Sequence, residues 1–362
     1  MRNGLARRAC ATLGVVLGGL LGCSGPSGAV QPAPASPMGA GAAPAITVAS
    51  SPSPMASASS LEPVRVIYSS LSGSMMPLWV AVDGGYLREQ GLAVELLLIE
   101  SGTATVQALV SGEAPLAHIA AAGLVGAVAE GFDAAFFQVT AAVPPLTLFT
   151  REEVLVPDGL RGARVGVTRF GSATDVVGRL VVRRWGLDPE RDLVWLQFGG
   201  VPEILGGLQA GAIDAAVLSD PTSLRAAKLG YRAIADAGEL GIPFLHLGTA
   251  APRSVLAQRP DLIRRYLLGF HAGLQRFFAD PEFAQRTLAA YTRQDAPEIL
   301  ELTYRTHAEK YISRDLRPRP EMVATVLAAA SNPRAQQLAP ETLIDDGPVR
   351  QLEAEGLLPP IR

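Results

Sequence analysis

Residues Val165 to Asp175 read Val-Gly-Val-Thr-Arg-Phe-Gly-Ser-Ala-Thr-Asp and join a short apolar strand to a helix through a glycine turn. The apolar run Ala163–Val167 predicts the strand, and apolar residues at helical spacing after Asp175 predict the helix. Ser172 and Asp175, three residues apart, are typical of a capping box. In open α/β sheets such junctions bind small ligands because free backbone N–H groups converge there. Ser172 therefore either contacts a ligand or only caps its own helix.

The alternation of strand, turn and helix continues on both sides of this junction. The predicted strands include Val64–Tyr68, Val94–Ile99, Leu116–Ile119, Ala134–Thr140, Leu193–Phe198 and Ile213–Leu218. Because these strands are mostly apolar and alternate with helices, we expect a parallel sheet covered by helices on both faces. A helix ending in Leu-x-x-Gly occurs in each half, at 109–112 and 208–211, which indicates two lobes of similar construction. After His246 the pattern predicts long amphipathic helices, among them Pro260–Ala279.

The N-terminus has the pattern of an exported lipoprotein. A basic segment precedes the apolar run Ala9–Gly22, which is shorter than the roughly 20 residues that a membrane-spanning helix needs. Leu20-Leu21-Gly22-Cys23 resembles a bacterial lipobox, which implies a signal peptide at 1–22 and a lipid on Cys23. Residues 23–61 carry no charge and are rich in Ala, Pro, Ser and Gly, which predicts a disordered tether. We expect a periplasmic or cell-surface protein anchored to a membrane.

Composition excludes several classes of function. The chain has 31 Lys and Arg against 34 Asp and Glu, and this net charge of -3 gives no reason to expect nucleic acid as a partner. Its two cysteines, Cys10 and Cys23, fall in the signal peptide and at the lipid site, so none remains for a disulfide or a thiolate site. The four histidines lack metal-ligand spacing and are interpreted as satisfied core or surface residues. No metal and no cofactor is expected.

The order of six segments resembles the solute-binding proteins of nitrate/sulfonate/taurine-type ABC importers, which are related to binders of pyrimidine precursors. The segments are Pro77–Trp79, Gly85–Leu87, Gly91–Leu92, Ser101–Thr103, Gly162–Val167 and Gly211–Ala216. The resemblance implies an α/β, two-lobe periplasmic-binding-protein fold (type II, Venus-flytrap) with two hinge strands. Lobe one would comprise residues 62–141 and 247–362, and lobe two residues 142–246. The hinge strands would lie near Val139–Thr140 and Phe244–Leu245.

The resemblance also implies ligand-binding positions on the loops that follow strands. They are Ser70, Ser72, Gly73, Ser101, Gly102 and Thr103 in lobe one, and Phe170, Gly171, Ser172, Thr174, Gly200, Val201, Ser219 and Asp220 in lobe two. We expect Ser172 and Thr103 to donate to the ligand from opposite lobes and Phe170 to be the aromatic residue that touches it. The residues Trp79, Trp185 and Trp195 are expected to be packing residues.

Three acidic residues distinguish this chain from an anion-binding member of the family. Asp175 and Glu203 lie in first turns that would face the cleft, and Asp220 stands at a helix start. Carboxylates there would oppose a bound oxyanion. We therefore expect a ligand less anionic than the family name indicates, such as an amine, a zwitterion or a neutral heterocycle.

The implied function is non-enzymatic: the capture of a small polar molecule and its delivery to an ABC permease and ATPase by a monomer. Alternatives are the binding component of a TRAP-type, sodium-driven transporter or a ligand-sensing lipoprotein. An enzyme of the same fold, a thiamine-pyrimidine synthase, has a cysteine-rich iron-binding segment, whereas this chain has no cysteine after Cys23.

Overall fold

The structure, a computed structural model, describes residues 61–151, 157–241 and 243–361. The predicted signal peptide, the lipid site Cys23 and all of the tether except Leu61 lie outside these residues. No helix of the described ranges is both long enough and apolar enough to cross a bilayer.

Two five-stranded sheets form the framework of the protein. The strands are β1 (Glu62–Tyr68), β2 (Leu92–Leu98), β3 (Leu116–Ile119), β4 (Ala134–Ala141), β5 (Thr147–Thr150), β6 (Arg164–Val167), β7 (Val194–Gln197), β8 (Ala215–Leu218), β9 (Arg232–Asp236) and β10 (Leu247–Pro252). Their order is β2-β1-β3-β10-β4 in the first sheet and β7-β6-β8-β5-β9 in the second. The register pairs Val66 with Leu96 and Leu116 in the first sheet and Val165 with Trp195 and Ala215 in the second. We call the half around the first sheet lobe one and the half around the second sheet lobe two.

The sheets are mixed, so the expectation of purely parallel sheets is wrong. β10 runs antiparallel to β3 and β4, and β5 runs antiparallel to β8 and β9. The chain crosses from one sheet to the other twice, at 142–146 and at 237–246. β5 and β10 are the first strands that follow these two crossings. The carboxyl ends of the parallel strands face the other lobe, so a strand that arrives from that lobe runs in the opposite direction.

Helices cover both sheets and form most of the C-terminal third. They are α1 (Met76–Asp83), α2 (Tyr86–Glu89), α3 (Gly102–Val110), α4 (Ala121–Ala129), α5 (Ala173–Arg184), α6 (Val201–Gln209), α7 (Thr222–Lys228), α8 (Arg253–Gln258), α9 (Pro260–Ala279), α10 (Pro281–Thr292), α11 (Pro297–Thr306), α12 (Glu321–Ala329), α13 (Pro333–Gln336) and α14 (Gly347–Ala354). Proline in the first turn begins α9, α10 and α11, where its missing N–H breaks no helical hydrogen bond. The long C-terminal helices predicted from the sequence are confirmed.

Apolar packing joins these layers into two main clusters. In lobe one, Trp79 is fully buried and stacks on Tyr291 with ring centroids 4.5 Å apart, which confirms its role in packing. Trp195 is buried in the other cluster, and Trp185 packs against it. Residues of α12 join the same cluster and contact both α4 of lobe one and α5 of lobe two. This helix therefore bridges the two lobes.

Candidate ligand-binding site

A small cavity of about 50 Å³ lies between the two sheets, beyond the carboxyl ends of β1, β6 and β8. Nine hydroxyl side chains line this hydroxyl cavity: Ser69, Ser70, Ser72, Ser74, Ser101, Thr168, Ser172, Thr174 and Ser219. The rest of its wall comes from Met75, Gly102, Ala120, Leu146, Ala173, Val201, His246 and Leu247. Among the described residues, no Asp, Glu, Lys or Arg side chain lines it.

Three helices begin at the wall of the hydroxyl cavity. Gly102, Ala173 and Val201 are the first residues of α3, α5 and α6, and each lines the cavity. The preceding residue of each helix makes no side-chain capping bond. The first N–H groups of a helix lack partners within the helix and carry the positive end of its dipole. The cavity therefore offers donors and positive potential without a formally charged side chain.

The predicted capping box at α5 is wrong. The Oγ atom of Ser172 accepts a hydrogen bond from Thr168 Oγ1 at 2.8 Å and shares another with Thr174 Oγ1 at 2.9 Å. The Asp175 carboxylate accepts from the N–H of Gly171 at 2.8 Å instead of that of Ser172. The Ser172 hydroxyl thus belongs to a hydroxyl network on the cavity wall, and capping does not account for its position.

Asp175 and Asp220 do not make the hydroxyl cavity acidic, contrary to the expectation that their carboxylates would face a ligand there. Asp175 is buried on the other side of α5, where Arg179 Nε donates to its Oδ1 at 2.6 Å. The Asp220 carboxylate accepts from the hydroxyl of Ser223. Neither residue lines the hydroxyl cavity. These carboxylates give no reason to exclude an anion.

The third predicted acid, Glu203, lies at the edge of the cleft. Its carboxylate and that of Glu100 both lie close to Gly200, where lobe two approaches lobe one. Burial and, to a smaller extent, the charge of Glu203 raise the pKa of the Glu100 carboxyl above its usual range. Neither carboxylate lines the hydroxyl cavity.

The structure distributes the fourteen predicted ligand positions over three places. Eight line the hydroxyl cavity: Ser70, Ser72, Ser101, Gly102, Ser172, Thr174, Val201 and Ser219. Gly73, Gly200 and Asp220 lie where the lobes meet, and the N–H of Gly73 donates to the carbonyl of Asp220 at 3.0 Å. A Cβ on Gly73 would lie 2.6 Å from His307 Cε1, so this approach requires glycine. The remaining three, Thr103, Phe170 and Gly171, line a neighbouring groove.

This groove has a volume of about 700 Å³ and lies among α4, α5, β7 and α12. We call it the apolar groove. Its wall consists of Thr103, Ala122, Gly123, Val125, Gly126, Phe170, Gly171, Asp175, Val176, Arg179, Glu190, Leu193, Val194, Trp195, Val326, Ala330, Ser331 and Asn332. The charged groups in it are paired, since Arg179 bonds both Asp175 and Glu190 at 2.6 Å. The guanidinium of Arg179 also lies over the ring of Trp195, 4.6 Å from the ring centroid.

Nine of the residues that line the hydroxyl cavity were not predicted as ligand positions, and two of these, Ser74 and His246, carry polar atoms that point to a binding role. His246 Nδ1 and Ser74 Oγ are buried and have no hydrogen-bond partner within the described part of the chain. His246 is thus not the satisfied histidine that was expected. Burial, and to a smaller extent the nearby His307, lowers its pKa to about 3. Buried polar atoms in native proteins are normally paired, so a ligand or water is the expected partner of both atoms.

The buried pair Arg179 and Asp175 should stabilise lobe two. We expect Arg179→Met to lower the free energy of unfolding by about 3 kcal/mol, because the buried Asp175 carboxylate loses its cationic partner. Arg183→Met, an exposed change on the same helix, should cost no more than about 0.5 kcal/mol. Urea unfolding measures both changes, and equal losses in the two variants would contradict the assignment.

Comparison with known proteins gives three findings. Residues 58–291 match the model of the NMT1-like family. The taurine-binding periplasmic protein of Escherichia coli (strain K12) is 23% identical over 205 residues, or 55% of this chain; the match spans 62% of that relative's length, less than two thirds of it. Many solved structures are similar, including the following two. The alkanesulfonate-binding protein SsuA from Xanthomonas axonopodis pv. citri, bound to MOPS, has a TM-score of 0.64 at 19% identity, covering 78% of this chain and 96% of its own. The periplasmic nitrate-binding protein NrtA from Synechocystis PCC 6803 has a TM-score of 0.67 at 12% identity, with 83% and 91% covered.

Proposed function

Because the chain belongs to the NMT1-like family and encloses a hydroxyl-lined cavity between two lobes, we propose that it is the extracytoplasmic solute-binding component of an ABC importer. In this role it captures a small polar molecule and delivers it to a membrane permease that works with an ATPase. The predicted resemblance to nitrate/sulfonate/taurine-type binding proteins and the two-lobe fold are confirmed. The named relatives are binding proteins, which supports a non-catalytic role.

The hydroxyl cavity carries the proposal. One small space is lined by nine hydroxyl groups and by the starts of three helices that have no side-chain cap. Two of its polar atoms, Ser74 Oγ and His246 Nδ1, have no hydrogen-bond partner among the described residues. A group with several acceptor oxygens would satisfy these donors, and the helix dipoles favour negative charge. The ligand therefore carries an oxyanion head, such as a sulfonate or a carboxylate, in place of the amine or neutral heterocycle that the sequence indicated.

Anchoring and movement complete the proposed role. Lipid on Cys23 and the tether at 23–61 would hold the monomeric body near its permease. The hinge was predicted as two strands near Val139–Thr140 and Phe244–Leu245; the first pair lies at the end of β4, and the second lies outside the strands. The adjoining crossing segments at 142–146 and 237–246 would act as the hinge between lobe one (62–141 and 247–362) and lobe two (142–246). A ligand that binds both lobes favours the closed state by the difference between its affinities for the two states.

A thermal-shift screen of the full-length protein tests the ligand class. Its panel contains sulfonates, carboxylates, nitrate, amines, pyrimidines and polyols. We expect an oxyanion to raise the melting temperature, since a ligand at a hundredfold excess over Kd adds about 2.7 kcal/mol of stability. Stabilisation by amines or pyrimidines alone would overturn the oxyanion head, and no stabilisation by any class would contradict the role in binding.

A further inference from the structure

Among the side chains that the structure describes, His246 is the one titratable group that lines the hydroxyl cavity. His246 is 7% exposed, and its Nδ1 is buried without a hydrogen-bond partner in residues 61–151, 157–241 and 243–361. The backbone N–H of His246 donates to the carbonyl of Ala141 at 3.0 Å, which fixes the residue beside the end of β4. The cavity wall therefore holds one ring that can gain a charge.

The charge of this ring depends on whether an anion lies beside it. Burial lowers the pKa of His246 to about 3, so the ring is neutral at neutral pH without a ligand. The three helix starts at the cavity wall also disfavour a positive charge there. A bound oxyanion reverses this balance, because an opposite charge within about 4–6 Å favours the charged form of a titratable group. In a cavity of about 50 Å³, a bound group lies that close to the wall.

The other titratable groups near His246 lie outside the cavity. The nearby His307 is fully buried, and Asp220 Oδ2 lies 3.9 Å from its Nδ1. Burial lowers the pKa of His307, and the Asp220 carboxylate opposes this effect. Tyr311 packs edge-on against the His307 ring, and its hydroxyl donates to Asp236 at 3.2 Å. None of these four side chains lines the hydroxyl cavity, so His246 is the group placed to respond to a bound anion.

We propose that the protein captures its oxyanion together with one proton, which His246 takes up from the solvent so that its imidazolium pairs with the bound head. This inference rests on the proposed function and names a specificity-determining residue of the same site. The proton passes from water to a ring nitrogen of His246, and no covalent bond to the ligand forms or breaks. Pairing avoids the cost of burying an uncompensated charge. A neutral ligand gains no such pairing, so the site discriminates against it.

Calorimetric titration of the full-length protein tests the proposal by counting protons. The probes are methanesulfonate, nitrate and trifluoroacetate, which stay ionised between pH 5.5 and 8, so that any proton taken up binds to the protein. We expect at least one of them to bind roughly threefold or more tightly at pH 5.5 than at pH 8. At pH 5.5 the heat of binding should depend on the ionisation enthalpy of the buffer. His246→Gln cannot take up the proton, so both dependences should disappear.

His118→Gln is the matched control. His118 is also fully buried, and burial lowers its pKa to about 3. Its ring bonds Thr249 and Thr140, and it does not line the hydroxyl cavity. The control variant should therefore keep the pH dependence and the buffer-dependent heat. Loss of both in His118→Gln as well would contradict the assignment of the proton to His246.

The outcomes separate this inference from the proposed function. If an anion binds equally at every pH and without buffer-dependent heat, or if His246→Gln keeps both dependences, the proton uptake by His246 is wrong and the oxyanion site stands. A purely structural role of His246 would weaken binding without changing the number of protons taken up. If none of the three anions binds, the oxyanion head and the proton uptake are both wrong.

Discussion

Replacement of Ser172 by phenylalanine is expected to weaken ligand binding at least a hundredfold while both lobes remain folded. Ser172 is 2% exposed and its hydroxyl belongs to the wall of a cavity of about 50 Å³. A phenyl ring would occupy the space of the ligand head. Because the cavity lies between the lobes, the larger side chain can be accommodated by opening the cleft, whereas in a closed core it would strain the fold. Titration with the ligand from the screen, together with circular dichroism, measures both effects.

Two further variants define the cause of that loss. Ser172→Ala removes the expected hydrogen bond to the ligand, together with the bonds to Thr168 and Thr174, and adds no bulk. We expect about a tenfold loss of affinity, equivalent to about 1.4 kcal/mol. Ser254→Phe makes the same large change at an exposed position of α8 and should bind normally. Wild-type affinity in Ser172→Phe would show that the ligand binds elsewhere.

Much of the fold could be predicted because periodicity reports which residues are buried. The strand Leu116–Ile119 and the helix Pro260–Ala279 occur at their predicted boundaries. Strand direction could not be predicted, because a buried strand has the same apolar pattern in either orientation. The strand Thr147–Thr150 was not predicted, since it comes shortly after two prolines, which are typical of a turn or loop.

The loops that form the site could be predicted from the sequence, but the directions in which their side chains point could not. Ser172 and Ser219 line the hydroxyl cavity as their place after strands suggests. The orientation of Asp175 depends on Arg179, and the spacing of four residues between them was a signal for this pair that the sequence analysis did not use. His246 has no comparable local signal. It lines the cavity because the chain crosses between the lobes there, which is a property of the tertiary fold.

Acid is expected to destabilise the protein through its buried histidines. Burial lowers the pKa of both His118 and His246 to about 3. In the unfolded chain a histidine has a pKa of about 6.5, so between these values the unfolded state binds a proton that the folded state does not. The stabilisation is therefore complete above pH 6.5 and is lost as the pH falls towards 3. Each histidine contributes a slope of about 1.4 kcal/mol per pH unit, so the two together should cost about 5 kcal/mol between pH 6.5 and 4.5.

Urea unfolding at pH 7, 5.5 and 4.5 measures this slope, and His118→Gln isolates one histidine. The His118 ring bonds Thr249 at 2.9 Å and Thr140 at 3.3 Å, so the variant should lose stability at every pH. The pH dependence is the diagnostic quantity, and we expect its slope to fall by about 1.4 kcal/mol per pH unit. His271→Gln should reduce the slope less, because the carbonyl of Pro359 raises the pKa of His271 against the effect of burial. If the slope is the same in His118→Gln and the wild type, the pKa of His118 does not differ between the folded and unfolded states. Acid would then destabilise the protein through its carboxylates instead.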